Sequence, residues 1–266
     1  MGPGFLAKKR IVIIGGTAGI GLAAAKAFIE WGAKLSILGL SEIEDPEISS
    51  EFLQASEIVI GDARDPEAVT QAVEQCETRW GGFDGLFHVA GGSGRKMGDG
   101  PLHELTLEGW NQTLELNLTS AMISNQIAVK KFLKNGNGGT ILNTGSVLGY
   151  SPSPPYFSTH AYAAAKSALI GFTRSIAAYY APNNIRINLI APGLIETPMS
   201  QRAIKNREIM DFIKTKQPLD QGRVGKPEDL IGLAGYCMSD YSLFTTGQIF
   251  TVDGGWHLSE GQISSL

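Results

Sequence analysis

Two side chains that could share a proton stand four residues apart, Tyr162 and Lys166. Residues four apart on a helix lie on one face, so the phenol and the ammonium would lie side by side. A free tyrosine titrates near ~10, and a neighbouring cation lowers that pKa toward the neutral range. The pair therefore indicates a general acid–base group, although the same spacing also fits a half-buried ring beside a lysine that reaches solvent.

A helix that could carry this pair is predicted over Ala161–Tyr180. The stretch is rich in alanine, and Leu169, Phe172 and Ile176 supply apolar contacts. Ser146 precedes it and is surrounded by no Ser/His/acid motif, so we do not interpret it as a nucleophile.

Composition limits the class of protein. The 266 residues suit one large α/β domain or two small ones, and the net charge of −4 predicts neither a nucleic acid nor a membrane surface as partner. The two cysteines, Cys76 and Cys237, lack metal-ligand spacing. That argues against a metal site or a disulfide framework and favours a reducing compartment, so we predict a cytoplasmic protein.

A glycine-rich turn lies between a predicted strand and a predicted helix near the start of the chain. Ile11–Ile14 has the pattern of a buried parallel strand, Gly15–Gly21 follows, and a helix is predicted from about Leu22 to Trp31. In this context glycines let a pyrophosphate approach the backbone N–H groups at the helix start. A tight turn without a ligand is the alternative.

Strands and helices alternate along the rest of the chain. Further strands are predicted at Ala33–Leu38, Ile58–Ile60, Phe83–Val89, Thr140–Thr144, Ile185–Ile190 and Gln248–Val252. Further helices are predicted at Pro66–Trp80, Leu107–Leu133 with a break near Asn117, and Pro227–Met238. Alternation of this kind predicts an α/β fold, a Rossmann-like doubly wound parallel sheet of about seven strands. We predict a single domain over residues 1–266, with a mobile substrate lid at about residues 194–216.

Taken in order, these motifs resemble the short-chain dehydrogenase/reductase family from about Lys8 to Trp256. The resemblance is carried by the glycine turn and by Asp62, Leu116-Asn117-Leu118-Thr119, Ser146, Tyr162 with Lys166, Asn188 to Thr197, and Val252-Asp253-Gly254-Gly255. It implies an NAD(P)-dependent oxidoreductase that transfers a hydride between a nicotinamide cofactor and a secondary alcohol or ketone. An epimerase or dehydratase on the same fold, and a non-catalytic dinucleotide sensor, are the alternatives.

The resemblance implies four catalytic residues. Ser146 would hold the substrate oxygen, Tyr162 would give or take its proton, and Lys166 would lower the Tyr162 pKa and hold the nicotinamide ribose. Asn117 would position a water molecule that links Lys166 to solvent. Without the resemblance, Asn117 also fits a cap at a helix break and Ser146 fits a strand-end turn.

The resemblance also implies a cofactor site at the carboxyl ends of the strands. Its residues are Gly15, Thr17, Ala18, Gly19, Ile20, Gly21, Gly39, Leu40, Asp62, Ala63, Ala90, Gly91, Tyr162, Lys166, Pro192, Gly193, Ile195 and Thr197. Asp62 would contact the adenine, while Ile195 and Thr197 would face the carboxamide.

Cofactor choice depends on the end of the second strand. An NAD enzyme usually places an acid there, on the ribose 2′-OH, whereas this chain has Gly39 followed by Leu40. The glycine loop supplies no cation for a 2′-phosphate, and Glu42 and Asp45 lie just beyond the strand. We predict that NAD(H) is favoured over NADP(H).

Three motifs depart from the family pattern. Ile14 replaces a usual threonine, His88-Val89 replaces a pair of asparagines, and Gly145 replaces a serine or threonine before Ser146. Ile14 and His88 are predicted on adjacent central strands, and we interpret His88 as a structural hydrogen-bonding residue.

The substrate pocket is predicted from three segments: Ser93 to Met97, Leu148 to His160, and Pro198 to Phe212. Aromatic residues in the second predict a medium-sized, mainly apolar carbonyl or alcohol substrate. Arg95 and Lys96 are interpreted as solvated charges, with an acidic substrate group as the alternative. By resemblance, the long helices around residues 117–133 and 161–180 would pair across a two-fold axis in a homotetramer.

Overall fold

The computed structural model describes residues 1–154 and 156–262 and has an α/β fold built on one parallel sheet. The strands of these residues are β1 (Arg10–Ile14), β2 (Lys34–Gly39), β3 (Ser56–Ile60), β4 (Gly85–His88), β5 (Gly139–Thr144), β6 (Ile185–Pro192) and β7 (Ile249–Val252). Their order is β3-β2-β1-β4-β5-β6-β7, with every pairing parallel. The predicted pocket segment Leu148–His160 and the predicted domain each extend outside the described residues, at Pro155 and at residues 263–266.

Helices cover both faces of this sheet, as the doubly wound prediction requires. They are α1 (Gly19–Glu30), α2 (Ser50–Ala55), α3 (Pro66–Trp80), α4 (Leu107–Leu114), α5 (Ser120–Asn135), α6 (His160–Tyr180), α7 (Gln201–Ile204), α8 (Arg207–Lys216) and α9 (Glu228–Met238). None of the helices in the described ranges is both long and apolar enough to cross a membrane.

Alternate residues of β1 divide the core into two apolar layers. Ile11 and Ile13 pack in a cluster with Phe28 of α1, while Val12 and Ile14 pack in a second cluster that includes α3 and α5. Successive side chains of a strand point to opposite faces, and both faces are covered here, so the run Ile11–Ile14 is apolar throughout. Each fully buried aliphatic side chain contributes about 1.5–3 kcal/mol to folding.

The predicted break near Asn117 is a π-helical segment inside a continuous helical run. Glu115–Thr119 joins α4 to α5 with one wider turn, and Asn117 is fully buried within it. π-turns of this kind are rare and occur often at functional sites. The irregularity was therefore predicted at the right residue, but the helical run continues through it without a break.

The predicted lid contains two short helices, α7 and α8. Ile209, Phe212 and Ile213 of α8 are buried in a cluster with Val147 and Trp256. The lid is thus packed onto the rest of the protein in this conformation, and its mobility stays a prediction.

The order of strands reverses between β1 and β4, which pair directly. Ile14 lies opposite His88 in that pairing, so the two departures from the family pattern are neighbours, as predicted. At such a switch point the loops after the two strands run to opposite sides and leave a crevice at their carboxyl ends.

Candidate active site

One cavity of about 850 Å³ opens at this crevice, above the carboxyl ends of the central strands. It is lined by the predicted site residues Gly15, Thr17, Ala18, Gly19, Ile20, Gly39, Leu40, Asp62, Ala63, Ala90, Gly91, Ser146, Tyr162, Lys166, Pro192, Gly193, Ile195 and Thr197. Two predicted residues, Gly21 and Asn117, do not line it. The structure thus brings together segments that are distant in sequence.

The glycine turn depends on close contacts that exclude side chains. Gly15 has a φ of +84°, and a Cβ there would lie 2.6 Å from the backbone nitrogen of Ala90. A Cβ on Gly21 would lie 2.1 Å from the carbonyl oxygen of Gly15. Gly21 thus lets α1 pack against the turn that forms the cavity wall, and its contact with a cofactor stays a prediction.

The start of α1 has the properties of a phosphate site. Its cap residue, Ala18, provides no side-chain hydrogen bond, and α1 begins at Gly19, three residues earlier than predicted. The first N–H groups of a helix lack partners within the helix, and the helix dipole favours an anion beside them. These amides, together with a cavity of dinucleotide size, fit the nicotinamide dinucleotide that the resemblance implies.

The end of the cavity beside β2 and β3 contains a crowded glycine and an ion pair. A Cβ on Gly39 would lie 2.1 Å from Oγ1 of Thr17, so the side chain of Thr17 closes the end of β2. Arg64, which the sequence interpretation overlooked, also lines this end and donates from Nη2 to Oδ2 of Asp62 at 2.6 Å. This bond from Arg64 is the main reason why the pKa of Asp62 is lowered.

Ser146 and Tyr162 meet at the middle of the cavity. Oγ of Ser146 accepts a hydrogen bond from the N–H of Leu148 at 3.2 Å. The pKa of Tyr162 is raised by burial, and a hydrogen bond from Ser146 opposes that rise. The predicted lowering of the Tyr162 pKa by Lys166 is not observed, so the phenol is protonated at neutral pH.

The position of the Lys166 ammonium explains why it has little effect on the pKa of the Tyr162 phenol. Its Nζ donates to the carbonyl oxygen of Thr144 at 2.9 Å and lies 5.5 Å from the centre of the Tyr162 ring. Burial lowers the pKa of Lys166 to about 8, because the charged form loses its hydration. The ammonium therefore remains charged at neutral pH but is close to its titration range.

Asn117 lies behind the cavity wall. Its Nδ2 donates to the carbonyl oxygens of Gly92 and Thr113, each at 2.9 Å, and its Oδ1 accepts from the N–H of Gly92 at 3.1 Å. The same oxygen and Nζ of Lys166 would lie 2.8 and 3.3 Å from a Cβ on Gly91. The side chain of Asn117 thus holds the glycine turn after β4 against Lys166.

His88 is a structural residue, in agreement with its interpretation from sequence. It is buried, and its Nδ1 lies 2.8 Å from Oγ of Ser124. Burial, and then the charge of Lys166, lower the pKa of His88 to about 3, so the ring is neutral. This hydrogen bond links the end of β4 to α5.

One residue that positions the proton donor has no signal in the sequence. Asp99 lies between glycines in the loop after β4, and its two carboxylate oxygens accept the N–H groups of Ala161 and Tyr162 at 2.9 and 3.0 Å. Thr159, the residue before α6, makes no side-chain capping bond. Asp99 therefore caps the helix that carries Tyr162 from the loop after β4.

Comparison with known proteins agrees with this geometry. Residues 15–257 match the family described as Enoyl-(Acyl carrier protein) reductase. A 2-(S)-hydroxypropyl-CoM dehydrogenase 3 from Xanthobacter autotrophicus is 32% identical, covering 92% of this chain and 95% of its own. A 3-alpha-(or 20-beta)-hydroxysteroid dehydrogenase from Mycobacterium tuberculosis is 31% identical, covering 95% and 90%. A crystal structure of a short-chain type dehydrogenase/reductase from Mycobacterium marinum has a TM-score of 0.84 at 28% identity, covering 95% and 97%.

A crevice at the switch point, a glycine turn at a helix start and a Tyr–Lys pair that lines the same cavity define a dinucleotide-binding oxidoreductase. The chain belongs to the short-chain dehydrogenase/reductase family. It is an NAD(P)-dependent enzyme that transfers a hydride between a nicotinamide cofactor and a secondary alcohol or ketone.

We expect Lys166→Met to abolish turnover and to stabilise the fold. The fall of the Lys166 pKa from near 10.5 to about 8 means that the buried ammonium opposes folding by roughly 3 kcal/mol at neutral pH. Loss of the bond to Thr144 returns about 1 kcal/mol. Urea unfolding at pH 7 should therefore show a gain of roughly 1–2 kcal/mol in the free energy of unfolding.

The stability gained by Lys166→Met should decrease as the pH rises. The unfavourable contribution of the wild-type ammonium is complete below about pH 8 and is relieved as the pH rises toward the unfolded pKa near 10.5. The advantage of the variant should therefore shrink across that window. Lys130→Met, at an exposed position of α5, is the control. A Lys166→Met protein less stable than wild type at pH 7 would contradict the assignment.

Proposed function

We propose that Ser146, Tyr162 and Lys166 perform the proton transfer of this oxidoreductase, with Asn117 and Asp99 as positioning residues. The observation that carries the proposal is that the first three residues line one cavity together with the glycine turn before α1. The bound nicotinamide supplies or accepts the hydride. The protein orients the substrate oxygen and moves its proton.

Ser146 and Tyr162 have different roles toward the substrate oxygen: Ser146 binds it and Tyr162 transfers its proton. Oγ of Ser146 accepts from the N–H of Leu148, and its hydroxyl hydrogen, which can bond to Tyr162, can turn to a substrate oxygen held beside both groups. Tyr162 is protonated at rest, since burial raises its pKa, and it therefore serves as the acid in the direction of ketone reduction. In the opposite direction its phenolate takes the alcohol proton, and the hydrogen bond from Ser146 favours that phenolate.

Asn117 acts through the loop after β4. Its side chain binds both the N–H and the carbonyl oxygen of Gly92, and it thereby holds the turn after β4 against Lys166. This contact supports its place in the relay, in which a water molecule would link Lys166 to solvent. A sensor that only binds a dinucleotide has no need of such an arrangement, whereas a catalyst does.

Tyr162→Phe should lower turnover by ~10²–10⁴-fold, because the proton donor is lost while the ring is kept. Absorbance of the reduced nicotinamide during a screen of ketones and secondary alcohols measures the rate. The same screen separates oxidoreduction from epimerisation or dehydration, which cause no net change in that absorbance. Calorimetric titration with the cofactor should give an unchanged dissociation constant.

The matched control for this substitution is Tyr179→Phe, on the same helix, where the side chain is 76% exposed. It should retain wild-type turnover. Equal turnover of Tyr162→Phe and wild type would refute the assignment of the acid.

The preferred cofactor is proposed to be NAD(H). The ribose end of the cavity is lined by Gly39, Leu40 and Ser41, which carry no charge for a 2′-phosphate. Arg64 also lines this end, but the carboxylate of Asp62 pairs with its guanidinium. An arginine engaged in this way is less available to a phosphate.

We expect NADH to bind more tightly than NADPH in parallel calorimetric titrations. Arg64→Gln should leave the ratio of the two dissociation constants unchanged, because Arg64 is assigned to Asp62. Tighter binding of NADPH that disappears in Arg64→Gln would show that this arginine recognises the phosphate, and the NAD(H) proposal would fail.

A homotetramer is proposed from two exposed apolar surfaces. On α5 and α6, Leu133 and Tyr179 are 45% and 76% exposed, and these helices would pair across a two-fold axis. Beside the edge strand β7, Leu243 and Phe244 are 68% and 106% exposed. Two separate self-complementary patches on one chain are what closed tetrameric symmetry requires.

Light scattering at micromolar protein should give four times the monomer mass of 28.4 kDa. Phe244→Asp places a charge in one patch only, so the expected product is a dimer. A monomeric wild-type mass would refute the assembly.

A reducing compartment, the cytoplasm, is proposed from the cysteines. Cys76 and Cys237 are both free and buried. Burial raises the pKa of each thiol to about 12, so neither is a reactive thiolate at neutral pH.

A further inference from the structure

Two arginines from different segments meet at the wall of the catalytic cavity. Arg95 belongs to a short 3₁₀ turn after β4, and Arg202 belongs to α7 in the predicted lid. Nη2 of each donates to the same acceptor, the backbone carbonyl oxygen of Tyr156, at 3.2 and 3.3 Å. One carbonyl thus holds two guanidinium groups beside each other, and both line the cavity that contains Ser146 and Tyr162.

Their charge is not balanced locally. Within residues 1–154 and 156–262, neither Arg95 nor Arg202 forms an ion pair with a carboxylate. The carboxylate that acts on Arg95 is Asp99, and both of its oxygens already accept backbone N–H groups of α6. Lys96, an exposed neighbour that also lines the cavity, adds a third positive charge.

This arrangement is unfavourable for the protein alone. Burial lowers the pKa of Arg95, and the adjacent Arg202 lowers it further. Two like charges that lie close together repel, and removing the half-buried guanidinium of Arg95 from water is unfavourable without a charged partner. By contrast, Arg10, Arg64 and Arg223 each have a carboxylate partner at 2.5–2.7 Å. An oxyanion in the cavity would supply a negatively charged partner for both arginines.

We propose that Arg95 and Arg202 bind an acidic group of the substrate, a carboxylate or another oxyanion. The proposal rests on the proposed function, because it assigns the substrate class of the same cavity. A guanidinium presents a planar fork of N–H donors that suits an oxyanion, and Lys96 adds a point charge. The substrate is therefore a ketone or secondary alcohol that carries an oxyanion on an apolar body.

The apolar body has a matching surface in the same cavity. Its wall includes apolar side chains from the loop after β5, the lid and the C-terminal region, namely Val147, Leu148, Phe157, Leu194, Met199 and Trp256. Such a wall excludes water from the body of the substrate and leaves the arginines as the polar end.

The anion position is tied to the proton donor through the backbone. Arg95 and Asp99 lie on one short loop, and Asp99 accepts the N–H of Tyr162 at 3.0 Å. The loop that carries the first arginine is therefore anchored at the residue that handles the substrate proton. An oxyanion bound by Arg95 would place the reacting carbon at a constant distance from the phenol.

The test compares a series of medium-sized keto acids with their neutral methyl esters, using NADH as the cofactor. The variants are Arg95→Gln, Arg202→Gln and Arg95→Lys. Lys205→Gln is the matched control, since Lys205 is an exposed cation at the end of α7 that does not line the cavity. The quantity compared is the ratio of kcat/KM for acid and ester, which cancels effects common to both.

We expect Arg95→Gln to lower this ratio by about 10- to 100-fold, as for loss of a charge-assisted hydrogen bond. Arg202→Gln should lower it by about 3- to 10-fold, because an exposed charge is screened. Arg95→Lys should retain part of the preference, and Lys205→Gln should retain all of it. An unchanged ratio in both arginine-to-glutamine variants would overturn the proposal.

A binding measurement separates this proposal from the proposed function. The hydroxy acid is titrated calorimetrically onto protein saturated with NADH, a combination that cannot react. Its affinity should fall in Arg95→Gln, while the affinity for NADH alone stays unchanged; a parallel loss of NADH affinity would assign the arginines to the cofactor instead and refute the proposal. Binding that depends on Arg95 without any turnover would retain the anion site and refute the oxidoreductase mechanism. Absence of both Arg95-dependent binding and turnover would refute the anion site and the oxidoreductase mechanism together.

Discussion

The whole site depends on the close backbone contact between the ends of β1 and β4. These strands are neighbours in the sheet although two other strands separate them in sequence, and their loops leave in opposite directions. Gly15 and Ala90 approach so closely that no side chain fits at Gly15. That contact lets the glycine turn form one wall of the cavity while the loop carrying Gly91, Gly92 and Asp99 forms another.

Burial has two opposite effects on the chemistry of this cavity. It raises the pKa of Tyr162 and lowers that of Lys166, so each group is pushed toward its neutral form. The phenol therefore keeps its proton at neutral pH, whereas the ammonium remains charged there at the expense of stability. The fold tolerates this because apolar layers on both faces of the sheet stabilise the strands that lead to the site.

Much of the fold could be predicted because its signals are local. Alternating strands and helices, the helix that begins at Pro66, and the irregularity at Asn117 are each indicated by a few adjacent residues. The predicted start of α1 is three residues too late. Glycines at positions 19 and 21 indicate a loop as long as the contacts that require them are unknown.

Long-range contacts account for what the sequence could not predict. Asp99 binds residues 62 and 63 positions further along, and the two arginines are 107 residues apart. Nothing near Arg202 distinguishes it from an ordinary surface charge. Asn117 was placed on the correct element, but the direction of its side chain is set by Gly92, which only the folded loop brings to it.

The capping of α6 by Asp99 has a consequence for how the substrate range of such a protein can diverge. The carboxylate recognises backbone N–H groups, which every residue except proline provides. Side chains in the first turn of α6 can therefore be exchanged without releasing the helix from its anchor. The pocket wall can then drift through mutation while the phenol of Tyr162 keeps its place, so new specificities remain accessible without rebuilding the catalyst.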